Sequence, residues 1–245
     1  MKPRVHATVF SALAAEMSKT LGSNTARATR ERRFKKIFGV SALICAKVWE
    51  AVVPHLPCSA SPVHLLWTLY FLKHYGLVEV NAAFAKCDEK TYRKWCWKTI
   101  NALAELELMD WEKRYEKDNG SQCLVSVDGT DFAIQEPSPF SPKWFSHKFK
   151  GAGVRYEVAI CIQTGEPVWI NGPFPCGSWN DLRIARSALV DALDPGEYYL
   201  ADGGYRDGNQ WSVTPSGHHR FDDRQKSVVR ARHETYNKRL KDWGH

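Results

Sequence analysis

Apolar residues recur at helical spacing in the first half of the chain and at alternate positions in the second half. Residues 1–28 are small, polar and weakly patterned, which predicts a flexible basic tail with room for one short helix. Beyond them, Ser41 is a typical N-cap, and Pro62 is typical of the first position of a helix. The pattern therefore predicts three helices in this region, at 32–38, 42–53 and 62–76.

A short amphipathic segment over Val78–Ala85 is followed by a tight turn and a longer helix, which begins after Asp88 and ends near Leu106. An apolar stripe along this longer helix predicts its packed face. The arrangement is typical of a helix-turn-helix that enters the DNA major groove, although a plain helical hairpin with a solvated basic face fits the pattern equally well. The candidate nucleic-acid contacts are the basic residues near the start of the helix, Lys90, Arg93, Lys94 and Lys98.

After Gln122 the pattern changes to period two, with many β-branched residues. Strands are predicted at 124–127, 156–162, 167–170 and 198–201, with a short fifth at 210–214, and helices at 181–193 and 224–243. This order predicts an α/β domain with a mixed sheet and flanking helices. The charged segment before it predicts a domain boundary, giving a helical region at 29–117 and an α/β domain at 118–245.

The composition adds limits on the class of protein. No stretch of ~18 uncharged apolar residues exists, and the N-terminus lacks a secretory pattern, so we expect an intracellular protein without a membrane partner. The seven cysteines are odd in number and have no CxxC spacing, which argues against a disulfide framework and a zinc ribbon. Cysteines within apolar runs are interpreted as small core residues: Cys45, Cys96 and Cys161.

Positive charge is concentrated in two segments of the chain, whose formal net charge is +7. Residues 27–36 hold six basic side chains and one acid. This run fits a functional segment, either a nuclear-localisation signal or an arm that contacts phosphates, and it fits a solvated tail equally well. Residues 224–241 hold seven basic side chains around the single acid Glu234. This distribution favours a nucleic-acid partner and a nuclear location.

Two predicted strands end in Asp-Gly, at Asp128-Gly129 and at Asp202-Gly203. If the strands are neighbours, the two carboxylates converge and need a shared proton or a metal ion between them. Oxygen-only ligands suit Mg²⁺ or Mn²⁺ better than zinc. Two such ions ~4 Å apart would activate a water or a 3′-hydroxyl for phosphoryl transfer.

Glu234 is the candidate third carboxylate. One interpretation makes it a member of exposed ion pairs. The other makes it a metal ligand whose basic neighbours hold DNA phosphates, and His233 would then point ~100° away and not bind metal. The basic neighbours on the face of Glu234 are Arg230, Lys238 and Lys241.

Four segments, in this order, resemble the DDE transposases of the PIF/Harbinger superfamily: VDGTDFAI, GSWNDLRIAR, YYLADGGYRDG and VRARHETYNKRLK. Upstream, RRFKKIFGVS, HLLWTLYFLKHY and DEKTYRKWCWKTI look like the helix-turn-helix region of that family, so the resemblance covers roughly residues 32–243. It implies a ribonuclease-H-like catalytic fold that cleaves double-stranded DNA at transposon ends and joins the 3′-OH to target DNA. On the family pattern, the residues that bind two Mg²⁺ (or Mn²⁺) ions are Asp128, Asp202 and Glu234.

The resemblance also bears on supporting residues and partners. Asp181 matches a recurrent family position, and we interpret it as a helix-start residue, with Asn180 or Asp181 as the cap, rather than as a metal ligand. Asp131 is interpreted as a second supporting residue. A separate Myb-like DNA-binding partner is implied by the family, and the oligomeric state stays open, a homo-oligomer included.

Three hypotheses for function follow. The first is an active, metal-dependent endonuclease and strand transferase, which the three separated carboxylates favour. The second is a domesticated, catalytically inactive transposase-derived DNA-binding protein. The third is a ribonuclease or structure-specific nuclease on the same fold.

Overall fold

The computed structural model describes residues 5–22, 24–117, 120–208, 210–214 and 223–243. The chain divides into two compact units, a helical unit of Met1–Glu107 with Asp242–His245, and an α/β unit of Leu108–Lys241. The division falls earlier than the boundary expected at 118.

Six helices form the helical unit as far as it is described. Their starts follow the local chemistry of the sequence: the Ser41 side chain accepts a hydrogen bond from the Ile44 amide at 3.4 Å, and the Asp88 side chain accepts one from the Thr91 amide at 2.9 Å. Short 3₁₀ turns lie at Lys19–Leu21 and Val53–His55. The helices are α1 (Ala7–Met17), α2 (Arg27–Phe38), α3 (Ala42–Val52), α4 (Pro62–His74), α5 (Val78–Ala85) and α6 (Glu89–Ala104).

Helix α1 differs from the flexible tail expected over residues 1–28. Phe10, Ala14 and Met17 lie four and three residues apart and are buried in the core of the helical unit. The many small residues of α1 give little contrast between its faces, so the pattern did not reveal this packing. Residues 1–4 and 23 of the expected tail lie outside the described residues.

Aromatic rings and cysteines fill the core of the helical unit. The His64 ring stacks on Trp95 with 3.8 Å between ring centroids, and Cys45 and Cys96 are buried as expected. No single described helix is long and apolar enough to cross a membrane, and only the bent pair Arg27–Phe38 and Ala42–His55 meets the length and composition requirement together.

A six-stranded mixed sheet organises the α/β unit, which confirms the predicted α/β architecture. Its order is β2-β3-β1-β5-β6, and β4 also pairs with β3. The strands are β1 (Cys123–Ala133), β2 (Phe145–Ser146), β3 (Gly151–Cys161), β4 (Pro167–Pro175), β5 (Tyr198–Leu200) and β6 (Ser212–Val213). The helical elements are α7 (Asp181–Ile184), a π turn (Ala185–Leu189), α8 (Val190–Ala192), α9 (Asp223–Lys241), and 3₁₀ turns at Trp111–Tyr115, Pro142–Trp144 and Gly203–Tyr205.

The pairing of β1 with β5 positions the candidate site. The two strands are parallel, with Ser126 opposite Leu200, so Asp128 and Asp202 each follow the last paired residue by two positions. Strand β1 then continues beyond its predicted end, antiparallel to β3, and places Asp131 opposite Arg155. Because Arg155 offsets the charge of Asp131, an acidic residue is accommodated inside a strand whose sequence alone predicts an earlier end.

Candidate active site

Asp128 and Asp202 lie near each other at the edge where β1 and β5 run side by side. Burial raises the pKa of Asp128 to about 6, and the negative charges of Asp202 and Asp181 act in the same direction. The Asp202 side chain accepts a hydrogen bond from the Gly204 amide at 2.8 Å and so begins the turn Gly203–Tyr205. The expected approach of Asp128 and Asp202 is therefore present, but Asp128 lies inside β1 and not at the end of a strand as expected.

Asp181 is the third carboxylate beside them. A Cβ atom built on Gly129 would lie 2.4 Å from Asp181 Oδ1, and one built on Gly204 would lie 2.8 Å from Asp181 Oδ2. Gly129 and Gly204 thus approach Asp181 so closely that a side chain at either position would displace its carboxylate. The cap of α7 is Asn180, which accepts from the Arg183 amide at 2.8 Å, so the Asp181 carboxylate faces the other acids instead.

Asp131 belongs to a buried ion-pair network next to these acids. Arg155 donates to Asp131 from Nε at 2.6 Å and from Nη2 at 3.0 Å, and Ser146 Oγ donates to the same carboxylate at 2.7 Å. Although burial acts to raise it, these bonds hold the pKa of Asp131 below its usual range. Arg155 also donates from Nη1 to Asp181 Oδ1 at 3.0 Å, so it joins the supporting acid to the acid cluster.

Lys148 is a cation at the site that the pattern of the sequence did not reveal. Its Nζ donates to the Gly129 carbonyl at 3.0 Å and lies 3.8 Å from Asp131 Oδ1, while half of the side chain is exposed. Its positive charge acts to lower the pKa values of Asp128, Asp131 and Asp181, and in Asp128 and Asp181 burial outweighs it. Lys148 lies in the loop before β3. No alternation of apolar and polar residues and no motif spacing in this loop marks a functional residue.

Helix α9 meets β1 through a face other than the expected one. His233 is 3% exposed and its Nδ1 lies 3.3 Å from Ser126 Oγ, while Asn237 Nδ2 donates to Asp128 Oδ2 at 2.8 Å. Glu234 is exposed. A neutral imidazole and an amide cost less to bury than a carboxylate, which explains why α9 turns His233 and Asn237, and not Glu234, toward β1. Burial lowers the pKa of His233 to about 4, so its ring is neutral at pH 7.

Val229, His233 and Asn237 are spaced by four residues, and this spacing is the signal that sequence reasoning missed. Two polar residues within a basic helix did not suggest a buried face, yet all three are buried. Asn237 is a functional candidate found only from the structure, because its amide directly contacts Asp128.

The basic residues proposed to contact DNA lie on the surfaces of both units. Lys90, Arg93, Lys94 and Lys98 are exposed on α6, as is Trp97 between them, and α6 follows α5 after a turn in which Lys86 has φ 56°. This order of elements was expected, and its role as a helix-turn-helix stays a prediction. On α9, Arg230 and Lys238 are exposed and Lys241 is half-buried.

The chemistry of the acid cluster fits a divalent cation. Asp128, Asp181 and Asp202 supply only oxygen ligands, and the negative charge of Asp202 acts to raise the pKa values of Asp128 and Asp181. Within the described ranges, however, no three acidic, histidine or cysteine side chains are close enough together to form a complete metal site. Two metal ions therefore stay a prediction.

Comparison with known families concerns this same part of the chain. Residues 127–243 match the model of the DDE superfamily endonucleases. No curated protein and no solved structure matches the chain. The matched segment contains the acid cluster as well as Glu234, so this part of the chain is similar to DDE superfamily endonucleases. The similarity does not extend to the PIF/Harbinger assignment, which stays a prediction.

Proposed function

We propose that this protein is a divalent-metal-dependent DNA endonuclease and strand transferase of the PIF/Harbinger type. It would cleave phosphodiester bonds at transposon ends and join the 3′-OH to target DNA. The observation that carries this proposal is the meeting of Asp128, Asp181 and Asp202, from three separate segments, at one edge of the sheet. Acids crowded together at a cost in electrostatic free energy are typical of a functional site.

The acids of this chain would hold two Mg²⁺ or Mn²⁺ ions. Asp128, Asp181 and Asp202 are the ligands that the geometry favours, and Glu234, which is exposed on α9, is the further ligand that the family resemblance implies. When bound, such ions supply positive charge that stabilises the attacking and leaving oxygens of an in-line phosphoryl displacement. Asn237 orients Asp128 by donating to one of its oxygens, which leaves the other carboxylate oxygen for the ion.

Basic residues would bind the DNA. On α9, Arg230, Lys238 and Lys241 would neutralise phosphates near the acid cluster. On α6, the exposed cations would enter the major groove of double-stranded DNA, with α5 as the preceding helix of a helix-turn-helix. The exposed basic run of α2 is compatible with import into the nucleus, where a Myb-like partner or a second copy of the chain would complete binding.

Nicking of labelled duplex DNA in Mg²⁺ or Mn²⁺ tests the proposal. Wild-type protein should nick, and Asp128→Asn, Asp202→Asn and Glu234→Gln should not, while Asp191→Asn changes an exposed acid elsewhere in the α/β unit and should nick normally. DNA binding without nicking by wild-type protein in either metal would instead support the domesticated, inactive DNA-binding protein. Cleavage retained by Glu234→Gln would remove Glu234 from the ligand set.

A further inference from the structure

The Arg155 guanidinium joins two carboxylates that come from different elements of the α/β unit. Its Nε and Nη2 form a two-pronged pair with Asp131 in β1, at 2.6 and 3.0 Å. Its Nη1 reaches Asp181 Oδ1, at the first residue of α7, at 3.0 Å. The Arg155 side chain is 11% exposed, so its position is set by these partners rather than by water.

The contact with Asp181 goes beyond what burial of Arg155 requires. One buried carboxylate compensates one buried guanidinium, and the pair with Asp131 already does this with two charge-assisted hydrogen bonds. Ser146 in β2 donates to the same Asp131 carboxylate and fixes the pair to a third element. The remaining guanidinium nitrogen is therefore available to hold a second acid in place.

Held in this way, Asp181 has two distinct oxygens. Oδ1 faces Gly129 and accepts from Arg155, whereas Oδ2 faces Gly204, whose amide is bound to Asp202. Rotation of the carboxylate would break the bond with Arg155 or bring an oxygen against the backbone of one of the two glycines. One oxygen is thus engaged by the protein, and the other is directed toward the side where Asp202 lies.

We propose that Arg155, anchored by Asp131, is a positioning residue that fixes Asp181 as a metal ligand. The inference rests on the proposed function, since it needs a divalent ion at the acid cluster. Groups that orient metal ligands typically contribute a factor of ~10–100 to metal affinity.

The sign of the change in metal affinity distinguishes a positioning role of Arg155 from a purely electrostatic effect of its charge. Arg155 is a cation near the acids, so on electrostatic grounds its removal should strengthen Mn²⁺ binding. Positioning predicts the opposite: Arg155→Met should weaken Mn²⁺ binding by roughly tenfold or more. Arg155→Lys keeps the charge but loses the planar fork, and it should weaken binding to a similar degree.

Calorimetric titration of the full-length protein with Mn²⁺ alone measures these affinities without relying on cleavage. The matched control is Arg114→Lys, which removes a second buried guanidinium fork in the same unit, where Arg114 Nε donates to both oxygens of Glu197 at 3.1 and 3.3 Å. This control should lower the melting temperature without changing Mn²⁺ affinity. If Arg155→Met does not fold, the double variant Asp131→Asn/Arg155→Met is measured in its place, because it removes both buried charges.

Unchanged or tighter Mn²⁺ binding by the Arg155 variants would overturn the positioning role and leave the proposed function intact. Equal weakening in Arg114→Lys would also overturn it, because any loss of a buried fork would then suffice. Absence of Mn²⁺ binding by wild-type protein would overturn the proposed function, and this inference with it.

Discussion

The helical unit and the α/β unit bury different kinds of polar side chain. In the helical unit the described examples are neutral: Burial lowers the pKa of His64 to about 4, and the Tyr92 hydroxyl donates to the Trp67 carbonyl at 3.0 Å. The α/β unit instead buries charged residue types, among them Asp131 and Glu157. Buried charges contribute little to stability by themselves, so their concentration in one unit indicates where function constrains the sequence.

The comparison predicts that small changes beside the acid cluster have large effects. Gly204→Ala places a Cβ 2.8 Å from Asp181 Oδ2, which must move, whereas Gly203→Ala meets nothing closer than 3.8 Å. We expect Gly204→Ala to lower the rate of DNA nicking by roughly 100-fold, because displacement by ~1 Å has that effect in catalytic sites. Gly203→Ala, in the same turn, is the matched control and should nick at nearly the wild-type rate. Equal rates in the two variants would mean that Asp181 is not held as described.

Changes on the helical unit should affect binding and leave chemistry intact. Arg93→Ala or Lys94→Ala on α6 should each lower the slope of log affinity against log salt by about 0.9, the effect of losing one phosphate contact. Fluorescence anisotropy with duplex DNA over a range of salt concentrations measures this slope. Lys47→Ala, an exposed cation on α3, is the control and should leave the slope unchanged. Unaltered slopes in all three variants would favour the plain helical hairpin.

The smallest expected effect is a difference in how the two units respond to pH. Burial raises the pKa of Glu157 to about 8, so the folded α/β unit binds a proton that the unfolded chain releases above its ordinary pKa. The contribution of Glu157 to the free energy of unfolding should therefore fall as pH rises from about 4.5 to about 8, and Glu157→Gln should remove that contribution. Hydrogen exchange of β1 amides measures it.

The helical unit supplies the opposite case. Because the pKa of His64 is lowered from 6.5 to about 4, the folded unit binds fewer protons than the unfolded chain in this range, and stability should be lost as pH falls through it. His64→Gln should reduce that loss, as followed by hydrogen exchange of α4 amides. A wild-type pH profile of β1 exchange that Glu157→Gln leaves unchanged, or of α4 exchange that His64→Gln leaves unchanged, would contradict the comparison.

Local signals in the sequence predicted much of this fold. Ser41 and Asp88 act as caps, and the two Asp-Gly segments lie on neighbouring parallel strands, one within β1 and the other just after β5. These features depend on residues close in sequence or on the edge geometry of a sheet.

The missed features depend on contacts between distant segments. Asp131 continues β1 only because Arg155 of β3 neutralises it, and Asp181 joins the acids because Gly129 and Gly204 leave room for it. The face of α9 that packs on β1 is set by burial of His233, which no periodic pattern of apolar residues could reveal.

The hydrogen bond from Asn237 to Asp128 has a consequence during synthesis. Its partners are 109 residues apart in the chain, so Asp128, Asp181 and Asp202 are all synthesised before α9 is complete. Until then, Asp128 lacks the amide that orients it, and the emerging α/β unit carries its acids without that support. The hydrogen-bonding environment of Asp128 is therefore completed only after translation has passed residue 237.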